Sequence, residues 1–153
     1  MKKTEILNNI RVARVDHIKW VERARILIYS PIEVTKEQIP IDVTACHFGH
    51  WFYGEGQVLL SILSKQVVKN LDYKHKELHL CYMKIFKVYF DTTEESFLVK
   101  FLKKPKKITE SNQHIAEDEF RRLENISEEL VDYLNQIERN INHIDEEDLK
   151  QYH

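Results

Sequence analysis

Apolar residues recur at helical spacing in three long blocks of this chain. In residues 4–29 they are Ile6, Ile10, Val12, Val15, Ile18, Val21, Ile26 and Ile28, a spacing that predicts one long helix. Ser30-Pro31 ends it, because proline disfavours helix at the residue before it. Residues 66–90 carry the strongest stripe: Val67, Val68, Leu71, Leu78, Tyr82, Ile85, Phe86 and Tyr89. In residues 113–148, Leu123, Leu130, Ile137 and Ile144 recur every seven positions, and Ile126, Leu134 and Ile141 widen the stripe. That pattern fits a bundle helix or a dimer seam.

Shorter pieces join these blocks. Residues 31–43 read as a connector broken by Pro31 and Pro40. Asp42 or Thr44 is positioned to cap a following helix whose first turns contain Cys46. Gly49 leaves room for a neighbouring helix to approach, while Gly54 and Gly56 loosen or end the segment. Val58-Leu59-Leu60-Ser61-Ile62-Leu63 reads as a short buried helix. Residues 91–112 read as an enlarged loop, in which Phe97 to Leu102 precede the basic cluster Lys103-Lys104-Pro105-Lys106-Lys107. Such a cluster is ordinarily a solvated loop; its functional counterpart is an anionic partner or a membrane surface.

Composition narrows the class. At 153 residues the chain is expected to be one domain, residues 1–153. Hydrophobic residues at 42% suffice for a core, and charged residues at 31% suit long amphipathic helices. Only three glycines and three prolines argue against a turn-rich β fold. The expected class is all-α, an up-and-down bundle. A net charge of -2 disfavours a nucleic-acid partner. No apolar run reaches the roughly 18–20 residues of a membrane span, and no signal-peptide core follows the basic start. A cytoplasmic protein is therefore expected. With no secretory signal and histidines nearby, the two cysteines point to metal binding or free thiols rather than a disulfide.

The chemistry-bearing residues are unevenly placed. His17 and Cys46 are 29 residues apart, as are Cys46 and His75. His75 and His79 are i and i+4, the spacing that lets two imidazoles grip one metal from a single helix. One Cys and three His make a four-donor nitrogen–sulfur set suited to tetrahedral Zn²⁺. His17 read alone is a polar-face histidine. His50 lies i+4 from Cys46 and competes as a ligand. A hydrolytic zinc helix would need Glu directly after the first His or directly before the second, whereas Glu77 sits mid-motif. A di-iron bundle would need two carboxylate-to-histidine pairs, and only Asp72 with His75 appears.

The segment Cys46-His47-Phe48-Gly49-His50-Trp51, followed by Gly56, resembles the hallmark of the chemoreceptor zinc-binding domain family. His17 with Trp20 three residues on, His75-x-x-x-His79, and the closing Ile126 to Leu134 segment are also similar to that family. The resemblance spans about residues 10–140. It implies a four-helix bundle with an additional short helix, often dimeric, holding zinc through His17, Cys46, His75 and His79, with Gly49, Trp51, Gly56 and Trp20 as supports. Position 50 is not a ligand in that family. Members are usually fused to chemotaxis receptors or diguanylate cyclases and sense zinc or oxidants such as hypochlorous acid. They act through protein partners rather than catalysis. This chain departs by lacking a recognisable signalling domain and by its enlarged 91–112 loop. A zinc-bound thiolate is oxidisable, so Cys46 is the expected redox switch and Cys81 a core thiol.

Overall fold

The computed structural model describes residues 2–30, 42–90 and 108–149. The connector 31–41 and the basic segment 91–107 lie outside the described residues, as do the readings attached to them. Every element among the described residues is helical: α1 (Lys3–Tyr29), α2 (His47–Phe52), a 3-10 turn (Glu55–Val58), α3 (Leu59–Ile62), α4 (Lys65–Tyr89), α5 (Glu110–Asn142) and α6 (Glu146–Leu149).

Three long helices form the frame, with α5 packed against both α1 and α4. Cross-links fix the directions. Lys3 Nζ donates to the carbonyls of Asn142 and Ile144, while Arg25 pairs with Glu124 at 2.7 Å, so α1 and α5 are antiparallel. Lys84 pairs with Glu119, and Tyr89 Oη donates to Gln113, so α4 also opposes α5. Consequently α1 and α4 run the same way.

The heptad residues of α5 are the shared spine. Leu123, Leu130 and Ile137 are buried, with Leu134 and Ile141 beside them, in one core with Leu71, Leu78, Tyr82 and Ile85 of α4 and Ile6, Ile10 and Ala13 of α1; Ile144, the fourth heptad position, lies beyond the end of α5 and is half-buried. Thr109 caps α5, its hydroxyl accepting from the Asn112 amide. The helix therefore starts three residues earlier than the sequence pattern suggests, and Ile108 packs on the core rather than lying in an open loop. At its other end α5 stops at Asn142, and the acidic tail forms the separate α6.

The α1 stripe is corrected in part: Ile6, Ile10, Val21 and Ile28 are buried as expected, and the exceptions lie mid-helix and near its end. Val15 and Ile18 are 48% and 46% exposed and Ile26 also faces outward. The inward face also carries Leu7, Ala13, His17, Trp20, Ala24 and Leu27. Small residues let the helices approach, and His17 takes a position that an aliphatic count passes over. The Val58–Leu63 segment is also less buried than its composition suggests: α3 is four residues long, only Leu59 in it is buried, and Leu60 is exposed. This run of short helices fills the space between α1 and the start of α4 in place of a further long helix among the described residues.

Candidate metal centre

His17, Cys46, His75 and His79 converge. One donor atom from each lies within 4.8 Å of all the others. Relative exposures are 2%, 4%, 0% and 2%. The donors come from α1, the residue before α2, and the middle of α4. The His17 and His75 rings meet edge-on at 5.2 Å, and His75 and His79 at 4.6 Å. Cys46 Sγ is 3.2 Å from His75 Nε2.

The i, i+4 pair on α4 follows from helix geometry, with both rings carried on the buried stripe between Leu71 and Tyr82. His17 is oriented by its own helix: its Nδ1 is 2.6 Å from the Ala13 carbonyl. That carbonyl can only accept, so the proton is on Nδ1 and the Nε2 lone pair is left for a metal, a familiar arrangement behind metal-bound histidine. Ala13 contributes through its backbone, which no sequence motif reveals.

Cys46 is positioned by a cap. It is itself the N-cap of α2, with extended backbone, and its Sγ accepts the Gly49 amide at 3.1 Å. The expected caps are used elsewhere: Asp42 accepts from the amide and hydroxyl of Thr44 in the preceding turn. Gly49 is explained by the same turn rather than by a neighbouring helix. A Cβ there would sit 1.7 Å from the Val43 carbonyl oxygen. Gly56 serves Trp51, because a Cβ there would lie 3.1–3.2 Å from the indole ring. Trp51 packs beside Phe48, whose ring meets His75 edge-on at 4.9 Å. Trp20 meets His79 at 4.6 Å. The motif residues thus wall the donors with aromatic surface.

Burial dominates the electrostatics. It pushes His17 down to about 4 and His75 down to about 2, with mutual repulsion among the imidazoles adding to the effect. Both are neutral at physiological pH, the form that binds metal. The Cys46 thiol is pushed up by burial, and the Gly49 and Phe48 amides only partly oppose this. The helix-terminus bias towards thiolate expected from the sequence is therefore outweighed without a cation. Zn²⁺ fits these residues: a closed Cys/His₃ set, neutral imidazoles, and a lone pair already aimed by Ala13. A tetrahedron with Zn–N and Zn–S bonds of about 2.0–2.3 Å puts its donors roughly 3.5 Å apart, so a bound ion requires only small inward movements.

The competitors separate. His50 is exposed and is not among the converging donors. Asp72 accepts from Tyr53 Oη at 2.7 Å and from Lys76 at 2.6 Å, which ties α4 to the turn after α2. Glu77 pairs with Arg122 on α5. Cys81 is fully buried, and its thiol is pushed up to about 11. Tyr53 and Asp72 form a brace that sequence reading missed; the signal available was an aromatic beside Gly54 and a carboxylate one turn before His75.

No curated protein and no solved structure matches the chain. The stretch that carries all four donors, residues 17–86, matches the model of the chemoreceptor zinc-binding domain, the family its motif resembles.

Proposed function

We propose that this chain is a zinc-binding regulatory module in which His17, Cys46, His75 and His79 hold one Zn²⁺ and Cys46 acts as the redox-responsive ligand. The observation that carries the reading is the convergence of four buried donors from three segments. The short α2–α3 segment stands as the fourth member of a four-helix arrangement. Bound zinc supplies the positive charge that keeps Cys46 a thiolate at neutral pH despite its burial.

A second feature favours sensing over a purely structural site. Cys46 and His17 are among the residues that line a cavity of about 220 Å³ walled by α1 and α2, a space through which a small oxidant would reach the otherwise buried Cys46. A two-electron oxidant, such as a hypohalous acid or hydrogen peroxide, delivers one oxygen atom net to the thiolate sulfur as its O–halogen or O–O bond breaks, giving sulfenic acid and releasing halide or hydroxide. That change removes a strong donor and disturbs the cap that Cys46 makes for α2. The signal passes by contact with a signalling protein or a second copy, in a chemotaxis or cyclic-di-GMP setting, without catalysis by this domain.

The test is peptide mass spectrometry of the zinc-loaded chain after limiting oxidant. Cys46 should be modified before Cys81, which is fully buried and held as a thiol. Modification of Cys81 first contradicts the proposal.

A further inference from the structure

The cavity beside Cys46 raises a question that the ligand set does not answer: how an ion reaches donors that are 0–4% exposed. Two of the four, His17 and Cys46, line this cavity, and so does Asp16, the one carboxylate in its wall. His47 at the rim is exposed and Arg23 is half-buried, which places the opening at the surface between α1 and α2. At about 220 Å³ the space holds several water molecules, enough for an ion that has not yet shed its hydration shell.

Asp16 sits at the boundary. Its side chain is 36% exposed, with the Lys19 ammonium 3.8 Å away in a loose, solvent-facing contact. Asp16 lines the same cavity as His17 and Cys46. A carboxylate there is a hard oxygen donor within reach of solvent, directly before His17 in the chain. It can replace one water on an incoming dication before the imidazole and sulfur take over.

We infer that the cavity is the metal's route into and out of the site, and that Asp16 is its transfer ligand, binding Zn²⁺ transiently in passage. This rests on the zinc reading above. A transfer ligand lowers the barrier in both directions and leaves the end state nearly unchanged. A residue that stabilises the final complex changes the release rate and the affinity together.

The experiment uses the full chain with Zn²⁺ alone as probe. Uptake by metal-free protein is followed by stopped-flow tryptophan fluorescence, since Trp20 lies 4.6 Å from His79. Release from the loaded chain is followed with excess chromogenic chelator, a reading that does not require the metal-free form to be folded. For Asp16→Asn, uptake and release should both slow, by about tenfold given the usual scale of charge effects on association, while affinity stays within about twofold. Asp16→Glu should restore both rates. Unchanged rates in Asp16→Asn, or faster release with weakened affinity, overturns the inference. If the wild-type chain binds no zinc, the metal site itself fails, an outcome distinct from normal zinc binding with no effect of Asp16.

Discussion

An exposed histidine titrates near pH 6.5, but His17 and His75 are enclosed by aromatic rings and by each other. With His17 near 4 in the folded chain and near 6.5 unfolded, the unfolded state binds more protons between those values. Stability of the metal-free chain is therefore full above about pH 6.5 and falls as pH drops towards 4. His75, near 2, extends the loss further. His17 alone corresponds to about 3 kcal/mol at the acid end. Urea unfolding of metal-free protein at pH 7.5, 5.5 and 4.5 should show a declining midpoint, and a flat profile would contradict it. The same residues predict the protons released on metal binding. Because burial keeps Cys46 a thiol and His17 and His75 neutral, zinc uptake at pH 7 should release about one proton per ion. Calorimetry in buffers of different ionisation enthalpy measures this, and release near zero contradicts thiolate ligation. Part of this scale was legible beforehand: the convergence of His17, Cys46, His75 and His79 and the core role of Cys81 were expected from residue type and spacing, whereas the demotion of His50 came only from the family resemblance, its i+4 spacing from Cys46 having kept it a competitor. Ala13 was not legible, because its contribution is a carbonyl, and neither was the rise in the Cys46 thiol pKa, because burial is set by residues distant in sequence.

Elements decide how firmly the sulfur is held. The α2 cap works only because the chain before it passes within contact of Gly49, and a methyl at that position collides with the Val43 carbonyl. Gly49→Ala is expected to cost about 2 kcal/mol or more and to weaken zinc binding, because the displaced turn is the one that carries Cys46. Gly54→Ala, whose added carbon meets the His50 carbonyl at 3.1 Å, should have a much smaller effect. Thermal melts and zinc titration of the two variants compare them directly; equal behaviour contradicts the role given to Gly49. The stripes of α4 and α5 were readable because aliphatic and aromatic residues repeat there at helical period. The α1 face was read only in part, Ile6, Ile10, Val21 and Ile28 being buried as expected, for a physical reason: Ala13 and Ala24 carry little hydrophobic weight, and His17 reads as polar, yet these residues face the core. The larger Val15 and Ile18 do not.

Across the whole molecule, zinc bound as proposed would couple metal to fold. Three segments that pack only partly on one another are joined by four donors, while α5 supplies an apolar spine independent of the ion. Leu130→Ala, at a fully buried spine position, should destabilise the chain by about 2–5 kcal/mol with or without zinc. Excess zinc should stabilise the wild type by about 2.7 kcal/mol at a hundredfold over Kd, and Cys46→Ala by much less. The helical class was evident from the scarcity of glycine and proline. The placement of α1 and α4 in the same direction agrees with the alternation of the up-and-down bundle expected from the sequence.

X-ray absorption spectroscopy at the zinc edge of the full chain loaded with one equivalent of Zn²⁺ tests the central claim most directly. The four converging side chains predict one sulfur and three imidazole nitrogens around the ion, with the sulfur lost in Cys46→Ala. A shell without sulfur in the wild type, or one in which a water oxygen replaces an imidazole, contradicts the account.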